Sequence, residues 1–180
     1  VVKVFLYLAM IDSDEDKSKF EILYSEYKNL MYYTANRILH NSSDAEDVVH
    51  QAFLKVIEIL DTISSPRCHK TRALLVTITE HKAIDLYREK QRRNVLPLAE
   101  EYIGAAPAAE IERLAERDTL AAAIASLPPR YRSVLLLRYD CGYSNAEIAN
   151  ILDTTEPNVR KLIQRAKEKL SAALSGMEEP

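Results

Sequence analysis

The fold of this chain is decided by residues 144–166, which read SNAEIANILDTTEPNVRKLIQRA. Ser144 and Glu147 match the S-x-x-E pattern of a capping box, which predicts that a helix begins here. The apolar residues that recur at helical spacing predict its buried face: Ala146, Ile148, Ala149, Ile151 and Leu152. A polar break at 153–155 precedes a second helix, in which Pro157 is tolerated because first-turn amides lack intrahelical partners. The pattern predicts a helix-turn-helix unit.

The second of these helices carries side chains suited to reading DNA. Its apolar residues follow helical spacing and define an inner face: Val159, Leu162, Ile163, Ala166 and Leu170. Arginine pairs with guanine, asparagine or glutamine with adenine, and lysine with phosphate. We therefore expect the outward residues to lie in a major groove: Thr155, Asn158, Arg160, Lys161, Gln164 and Arg165. The alternative is a solvated amphipathic helix whose charges carry no function.

The segment before this unit makes the pattern more specific. Residues 127–139 read LPPRYRSVLLLRY, and Gly142 is placed to end their helix. Together with YSNAEIA at 143–149 and VRKLIQRA at 159–166, this segment resembles region 4 of bacterial sigma factors of the extracytoplasmic-function (ECF) type. These RNA polymerase subunits read the minus-35 promoter element, and the resemblance also implies contact with the flap of the second-largest polymerase subunit. Many response regulators end in a similar helix-turn-helix.

The N-terminal half supplies a second resemblance. One helix is predicted by an apolar stripe of Phe20, Leu23, Tyr24, Tyr27, Leu30, Met31, Thr34 and Ile38. Ser43 and Glu46 match another capping box, which predicts a helix with the apolar face Val48, Val49, Ala52, Phe53, Val56 and Ile57. The stretch DAEDVVHQAFLK at 44–55 is similar to sigma region 2.2. The resemblance implies docking on the clamp helices of the largest polymerase subunit through Asp47, His50 and Gln51. The family more often has Gln-Glu where this chain has His50 and Gln51, so one negative charge is missing.

A basic segment follows in an acidic protein. Residues 67–93 carry eight basic and three acidic side chains, a net charge of +5, whereas the whole chain is −3 with a pI near 5.9. Phosphate neutralisation by Lys and Arg dominates nucleic-acid affinity, so this segment is a candidate DNA face.

Within that segment, residues 73–88 read ALLVTITEHKAIDLYR and resemble the helix of sigma regions 2.3 and 2.4, which opens the minus-10 element. The resemblance implies a pocket for an unstacked base between this helix and the loop 61–69. Its expected DNA contacts are Ile63, Arg72, His81, Lys82 and Arg88. The alternatives are core packing for Ile63 and an ordinary helix-surface imidazole for His81. Leu74 stands in place of a usual Trp and His81 in place of a usual Asn.

Composition predicts an all-α protein of two small helical domains. The chain of 180 residues has only three glycines, no Trp and no alternating strand pattern. Residues 94–118 carry six acidic and two basic side chains, a net charge of −4, and are interpreted as a linker. We therefore expect a region 2-like domain at 1–93, the acidic linker at 94–118 and a region 4-like domain at 119–180.

Several other classes of protein are disfavoured. The apolar start, residues 4–11, is too short to span a bilayer and lacks a signal cleavage site, so we expect a helical turn or strand packed on the first domain. Two cysteines in different domains suggest no disulfide framework, which favours the cytoplasm. Cys68-His69 has no second ligand pair at metal-binding spacing. No phosphate-binding loop or nucleophile motif is present, so we expect no catalytic residue, no metal and no cofactor.

Three hypotheses remain at this stage. The first is a sigma factor that binds polymerase core and promoter DNA, with an anti-sigma factor as a further partner implied by the resemblance. The second is a conventional helix-turn-helix regulator that binds DNA without polymerase, with an N-terminal dimerisation or sensor domain. The third is a helical interaction protein that sequesters another regulator. The stretch 44–55 and the basic segment 67–93 favour the first, because an ordinary repressor needs neither.

Overall fold

The computed structural model of the chain describes residues 2–93 and 119–177. The chain divides into two compact units, residues 1–93 and 94–180, which are described separately below. Throughout the described ranges the regular elements are helical, so the prediction of an all-α fold is confirmed. The predicted acidic linker at 94–118 lies outside the described residues and stays a prediction.

The first unit is built on three long helices that pack pairwise. Its elements are α1 (Val2–Leu8), α2 (Asp14–Leu39), α3 (Ser42–Glu58), a 3-10 turn (Leu60–Thr62) and α4 (His69–Arg93). The largest fully buried side chains of its core include Phe20, Leu23, Met31, Phe53, Leu74 and Ile78. The predicted stripe on α2 is therefore its core-facing side, and Tyr24, Leu30 and Ile38 at its margins are half-buried.

The predicted capping box at the start of α3 is wrong. The helix begins at Ser42, and the residue that caps it is Asn41, whose side-chain oxygen accepts a hydrogen bond from the Asp44 amide at 3.0 Å. His40 ends α2 in a left-handed conformation (φ 50°), so the chain has turned by the time it reaches the extended Asn41. Asparagine caps a helix as well as serine does. Helix α3 therefore begins earlier than predicted, with a cap that is equally favourable. The apolar face from Val48 to Val56 is buried as predicted.

The apolar start of the chain folds as the short helix α1. Tyr7 is 2% exposed and its ring packs 5.4 Å from that of Phe20, whereas Phe5, Leu6 and Met10 are 68%, 62% and 55% exposed. The expected extra turn packed on the first domain is thus a helix anchored by one tyrosine. Across the described residues, no helix is both long and apolar enough to cross a membrane.

The second unit packs three short helices against one long one. Its elements are α5 (Thr119–Ser126), α6 (Pro129–Leu135), a π-helical turn (Leu136–Asp140), α7 (Asn145–Ile151) and α8 (Glu156–Met177). Each of α5, α6 and α7 contacts α8. The core cluster joins Leu127, Val134, Leu135, Leu162 and Ala166, so α8 is the scaffold on which the helix-turn-helix is assembled.

The capping box predicted at Ser144 is confirmed. The Ser144 hydroxyl accepts from the Glu147 amide at 3.2 Å, and the Glu147 carboxylate accepts from the Ser144 amide at 2.7 Å. Ile148, Ala149 and Ile151 are buried and Leu152 is half-buried, as expected. Ala146 was expected inside and is exposed. Its single methyl group gains little from burial, so an alanine at helical spacing does not define a face.

The turn before α7 depends on a glycine. After the π-helical turn, the Tyr143 amide donates to the Leu137 carbonyl at 3.0 Å, which closes the end of the helix. Gly142 lies at φ 82°, a conformation that side chains disfavour, although a Cβ there would meet no atom within 4 Å. The requirement for glycine is therefore conformational, and the prediction that the helix ends there is confirmed.

Candidate nucleic-acid and polymerase interfaces

Helix α8 turns its predicted reading side chains outward. Val159 and Ala166 are fully buried and Leu162 is 7% exposed, which fixes the rotation of the helix. The residues expected to read DNA are all exposed: Thr155, Asn158, Arg160, Lys161, Gln164 and Arg165. The helix begins at Glu156, directly after Thr155, as the sequence predicted. The structure thus places the set on the accessible side of one helix.

Three of these side chains already have weak local partners. Arg160 Nη1 lies 3.4 Å from Glu156 Oε1, and the Gln164 amide donates to Glu168 Oε1 at 3.1 Å. The Asn158 amide donates to the Thr154 hydroxyl at 2.9 Å. All are exposed contacts within one helix or its first turn, and such pairs are worth at most about 1 kcal/mol. They leave the three side chains on the accessible side of α8.

The π-helical turn was not predicted and exposes an aromatic side chain near α8. Tyr139 is 60% exposed, and Lys167 Nζ lies 5.2 Å from its ring centroid. A similar pair joins Lys169 to Tyr131 at 5.7 Å. Nothing in the local sequence predicts these pairs, because their members are 28 and 38 residues apart in the chain.

The residues expected at the minus-10 element are not all brought together. On α4, His81 and Arg88 are seven residues apart and share a face, since about 3.6 residues make one turn. Lys82 lies about a quarter turn from them, and Arg72, nine residues before His81, lies on the opposite side. Arg72 is exposed, and the other three are half-buried. His81, Lys82 and Arg88 thus lie nearer to one another around the helix than to Arg72, and the Nε2 atom of His81 is buried.

Ile63 requires a correction. Its side chain is 2% exposed and packs in the core of the first unit, so it offers no surface to a base. The alternative of ordinary packing describes it better than a pocket wall, since burying the isoleucine side chain stabilises the fold by about 1.5–3 kcal/mol. The backbone after it is held by the Tyr27 hydroxyl, which donates to the Pro66 carbonyl at 2.9 Å.

The loop before α4 is tied down by hydrogen bonds. The Thr71 hydroxyl donates to the Ser65 carbonyl at 2.6 Å, and its amide lies 3.4 Å from Cys68 Sγ. The hydrogen bond with the Thr71 side chain and, to a smaller extent, the one with the Thr71 amide hold the pKa of the Cys68 thiol below its usual value. In the part of the chain that the structure describes, no group of three His, Cys, Asp or Glu residues is placed to bind a metal ion. The Cys68 thiol therefore takes part in the hydrogen bonds at the start of α4.

Part of the positive charge of α4 is already paired. Lys90 Nζ contacts Asp44 Oδ2 at 2.5 Å, which joins the end of α4 to the start of α3. Arg93 pairs with Glu89 along the helix, and Arg67 lies 3.8 Å from Glu26. Asp44 and Glu26 lie outside residues 67–93, so their pairs lower the local charge below the +5 counted in the sequence, whereas Glu89 is already in that count. They are weak enough for phosphates to compete with them.

Helix α3 presents the predicted polymerase contacts as one exposed group. Asp47, His50 and Gln51 are spaced i, i+3 and i+4, so they lie on one face, and all three are exposed. Below them Val48, Ala52 and Phe53 fill the core. His50 also makes a contact that the sequence did not suggest: its Nδ1 lies 2.6 Å from the hydroxyl of Tyr7 on α1.

Comparison with known proteins places both units in one family. The family model described as Sigma-70 region 2 matches residues 23–93, and the model described as Sigma-70, region 4 matches residues 117–170. The ECF RNA polymerase sigma factor SigW of Bacillus subtilis is 27% identical over 171 residues, which are 88% of this chain and 90% of SigW. SigL of Mycobacterium tuberculosis, also an ECF sigma factor, is 27% identical over 154 residues, 84% of this chain and 86% of SigL.

Among solved structures, that of CnrH in complex with the cytosolic domain of CnrY matches with 26% identity and a TM-score of 0.41, and the match covers 97% of this chain and 96% of that one. The two family models match the two units in the order expected, and the ECF relatives span nearly the full chain. The chain therefore belongs to the sigma-70 family of RNA polymerase sigma factors and is of the extracytoplasmic-function type.

Proposed function

We propose that this sigma factor holds RNA polymerase core with α3, opens the minus-10 element with α4 and reads the minus-35 element with α8. The observation that carries the proposal is the buried stripe of α8, from Val159 to Ala166, which turns Arg160, Lys161 and Arg165 to the accessible side. Residues 1–93 and 119–180 would then be the two working domains, and 94–118 would link them.

Core binding is assigned to Asp47, His50 and Gln51. These side chains form one polar, exposed group, and the opposite face of α3 is packed into the core. Family membership supports the clamp helices of the largest polymerase subunit as the partner, and the flap of the second-largest subunit as the partner of the second unit. An anti-sigma factor remains a proposed partner on family membership alone.

The minus-10 contacts are assigned to His81, Lys82 and Arg88, with Arg72 binding backbone elsewhere. Opening DNA requires that a base leave the stack, at a cost of a few kcal/mol, while cationic side chains bind the exposed strand. Ile63 is left out because it is buried. The new bonds in RNA are made by the polymerase, so we assign no catalytic residue to this chain, and we place it with the polymerase in the cytoplasm.

The direct test compares promoter binding with and without polymerase core. The proposal predicts that the chain alone shows little sequence-specific binding, and that core added to it binds promoters selectively. Asp47→Ala and Gln51→Ala should weaken core affinity while far-ultraviolet circular dichroism stays unchanged. Glu21→Ala is the matched control, because Glu21 is an exposed acid of the same unit, on α2. Specific binding of the chain alone to a palindrome would favour the conventional regulator instead.

A further inference from the structure

Helix α1 reaches the proposed polymerase-binding face through one side chain. The Tyr7 hydroxyl lies 2.6 Å from His50 Nδ1, and the two ring centroids are 5.3 Å apart. Tyr7 is 2% exposed, and its ring is held by Phe20 at 5.4 Å and by Phe53 at 5.9 Å. His50 is exposed. The buried Tyr7 thus contacts Nδ1 of an imidazole that belongs to an exposed residue.

The hydrogen bond fixes where the protons lie. Among the described residues, the Tyr7 hydroxyl has no hydrogen-bond partner other than His50 Nδ1. A buried hydroxyl without an acceptor is costly, so the hydroxyl donates and Nδ1 accepts. Burial, and to a smaller extent the nearby Tyr24, raises the pKa of Tyr7 to about 12, so the hydroxyl keeps its proton at neutral pH. A neutral imidazole that accepts at Nδ1 carries its proton on Nε2.

We propose that Tyr7 is a positioning residue for polymerase docking, because it fixes His50 as an Nε2–H donor aimed at a hydrogen-bond acceptor on the polymerase. The inference rests on the proposed assignment of Asp47, His50 and Gln51 to core binding. Along this face the Asp47 carboxylate can only accept hydrogen bonds, the Nε2–H of the fixed His50 can only donate one, and the Gln51 amide can do both. The matching surface must therefore offer a donor or cation to Asp47 and a carbonyl or carboxylate oxygen to His50. That pattern sets the register of docking.

The first test is a double-mutant cycle on the full chain, read as affinity for polymerase core. Tyr7→Phe keeps the ring and removes the hydroxyl that orients His50, and should weaken core binding by a measurable factor of at most about 10-fold, the upper value of one neutral hydrogen bond. His50→Ala should weaken it at least as much, and Tyr7→Phe should add no further loss in that background. Tyr24→Phe is the matched control, since its ring lies 5.9 Å from that of Tyr7 in the same cluster. It should leave affinity unchanged.

The second test reads the tautomer in the wild-type chain. Nitrogen-15 NMR of the His50 ring, at a pH where the ring is neutral, should show an unprotonated Nδ1 and a protonated Nε2, and Tyr7→Phe should mix the tautomers. A wild-type Nδ1–H, or additive losses in the cycle, would overturn the inference. If Asp47→Ala and Gln51→Ala weaken core binding but Tyr7→Phe and His50→Ala do not, only this inference fails. If none of the four changes affinity, the proposed function of α3 fails as well.

Discussion

Replacement of Arg160 by alanine tests the proposal that α8 reads the minus-35 element. Arg160 is exposed, and its guanidinium lies 3.4 Å from the Glu156 carboxylate. A bidentate contact between arginine and guanine is worth about 1–3 kcal/mol, whereas an exposed ion pair is worth about 0.2–1 kcal/mol. A base contact would therefore outweigh the pair, so the proposal predicts that Arg160 leaves Glu156 when DNA binds.

The magnitude follows from this difference. Since about 1.4 kcal/mol corresponds to a tenfold change, Arg160→Ala should weaken binding by about 5- to 150-fold at promoters that carry the base pair it reads. Glu156→Gln removes the competing partner and should tighten binding by at most about 5-fold. Lys161→Ala is the control for a phosphate contact: it should weaken all promoters alike and reduce the slope of affinity against salt by about one.

The assay is equilibrium binding of the chain with polymerase core to a set of promoters. Each promoter differs by one base pair in the minus-35 element, and binding is measured at several salt concentrations. Arg160→Ala should abolish discrimination at one position of the element and leave the others. An equal loss on every promoter, with a lower salt slope, would place Arg160 on a phosphate and refute the reasoning. An unchanged affinity throughout would remove it from the DNA-facing surface.

Three further predictions concern the local structure that holds these surfaces. Asn41→Ala removes the acceptor of the Asp44 amide and should lower the free energy of unfolding of the first unit by about 1 kcal/mol, whereas Ser43→Ala should stay within about 0.5 kcal/mol in urea unfolding; equal losses would contradict the assigned cap. Hydrogen bonds with Ser144 hold the pKa of Glu147 below its ordinary 4.5, so its contribution to stability is present above that pH and is lost as pH falls through the lower folded value. In Glu147→Gln, the free energy of unfolding of the second unit should therefore fall less at acidic pH than it does in the wild type. The same dependence on pH in both proteins would argue against the capping box. Gly142→Ala forces a side chain to φ 82° and should cost about 1–2 kcal/mol in thermal unfolding; wild-type stability would show that the turn relaxes.

Of the two helix starts predicted from capping boxes, one is confirmed and the other is wrong. At Ser144 the cap was predicted correctly, because the residue before it, Tyr143, cannot cap and Glu147 completes the box. Before α3, four residues in a row can cap a helix, and the structure has Asn41 where the sequence pattern predicts Ser43. The preference of each residue type for the cap position does not decide which of these neighbouring residues is the cap. The end of the preceding helix, where His40 turns left-handed, decides which residue is extended.

Side-chain environments that depend on distant packing were harder to predict. The stripe from Val159 to Ala166 was correct because it repeats over several turns. The sequence predicts Ile63 at a DNA pocket, whereas the structure buries it in the core. A single apolar residue in a loop gives no periodic pattern from which its burial could be predicted. The contact between Tyr7 and His50 joins residues 43 apart and has no local signal. The sequence thus predicted the helices and most of their buried faces, but not the contacts that depend on distant packing.

The measurement that tests the central claim most directly is transcription in vitro from a mapped promoter, with purified polymerase core and this chain. The account predicts that core alone starts no specific transcript, that addition of the chain produces a discrete start site, and that Gln51→Ala or Arg160→Ala reduces the yield of that transcript. A start site that forms equally well without the chain, or no specific transcript from any promoter bound by the complex, would contradict it.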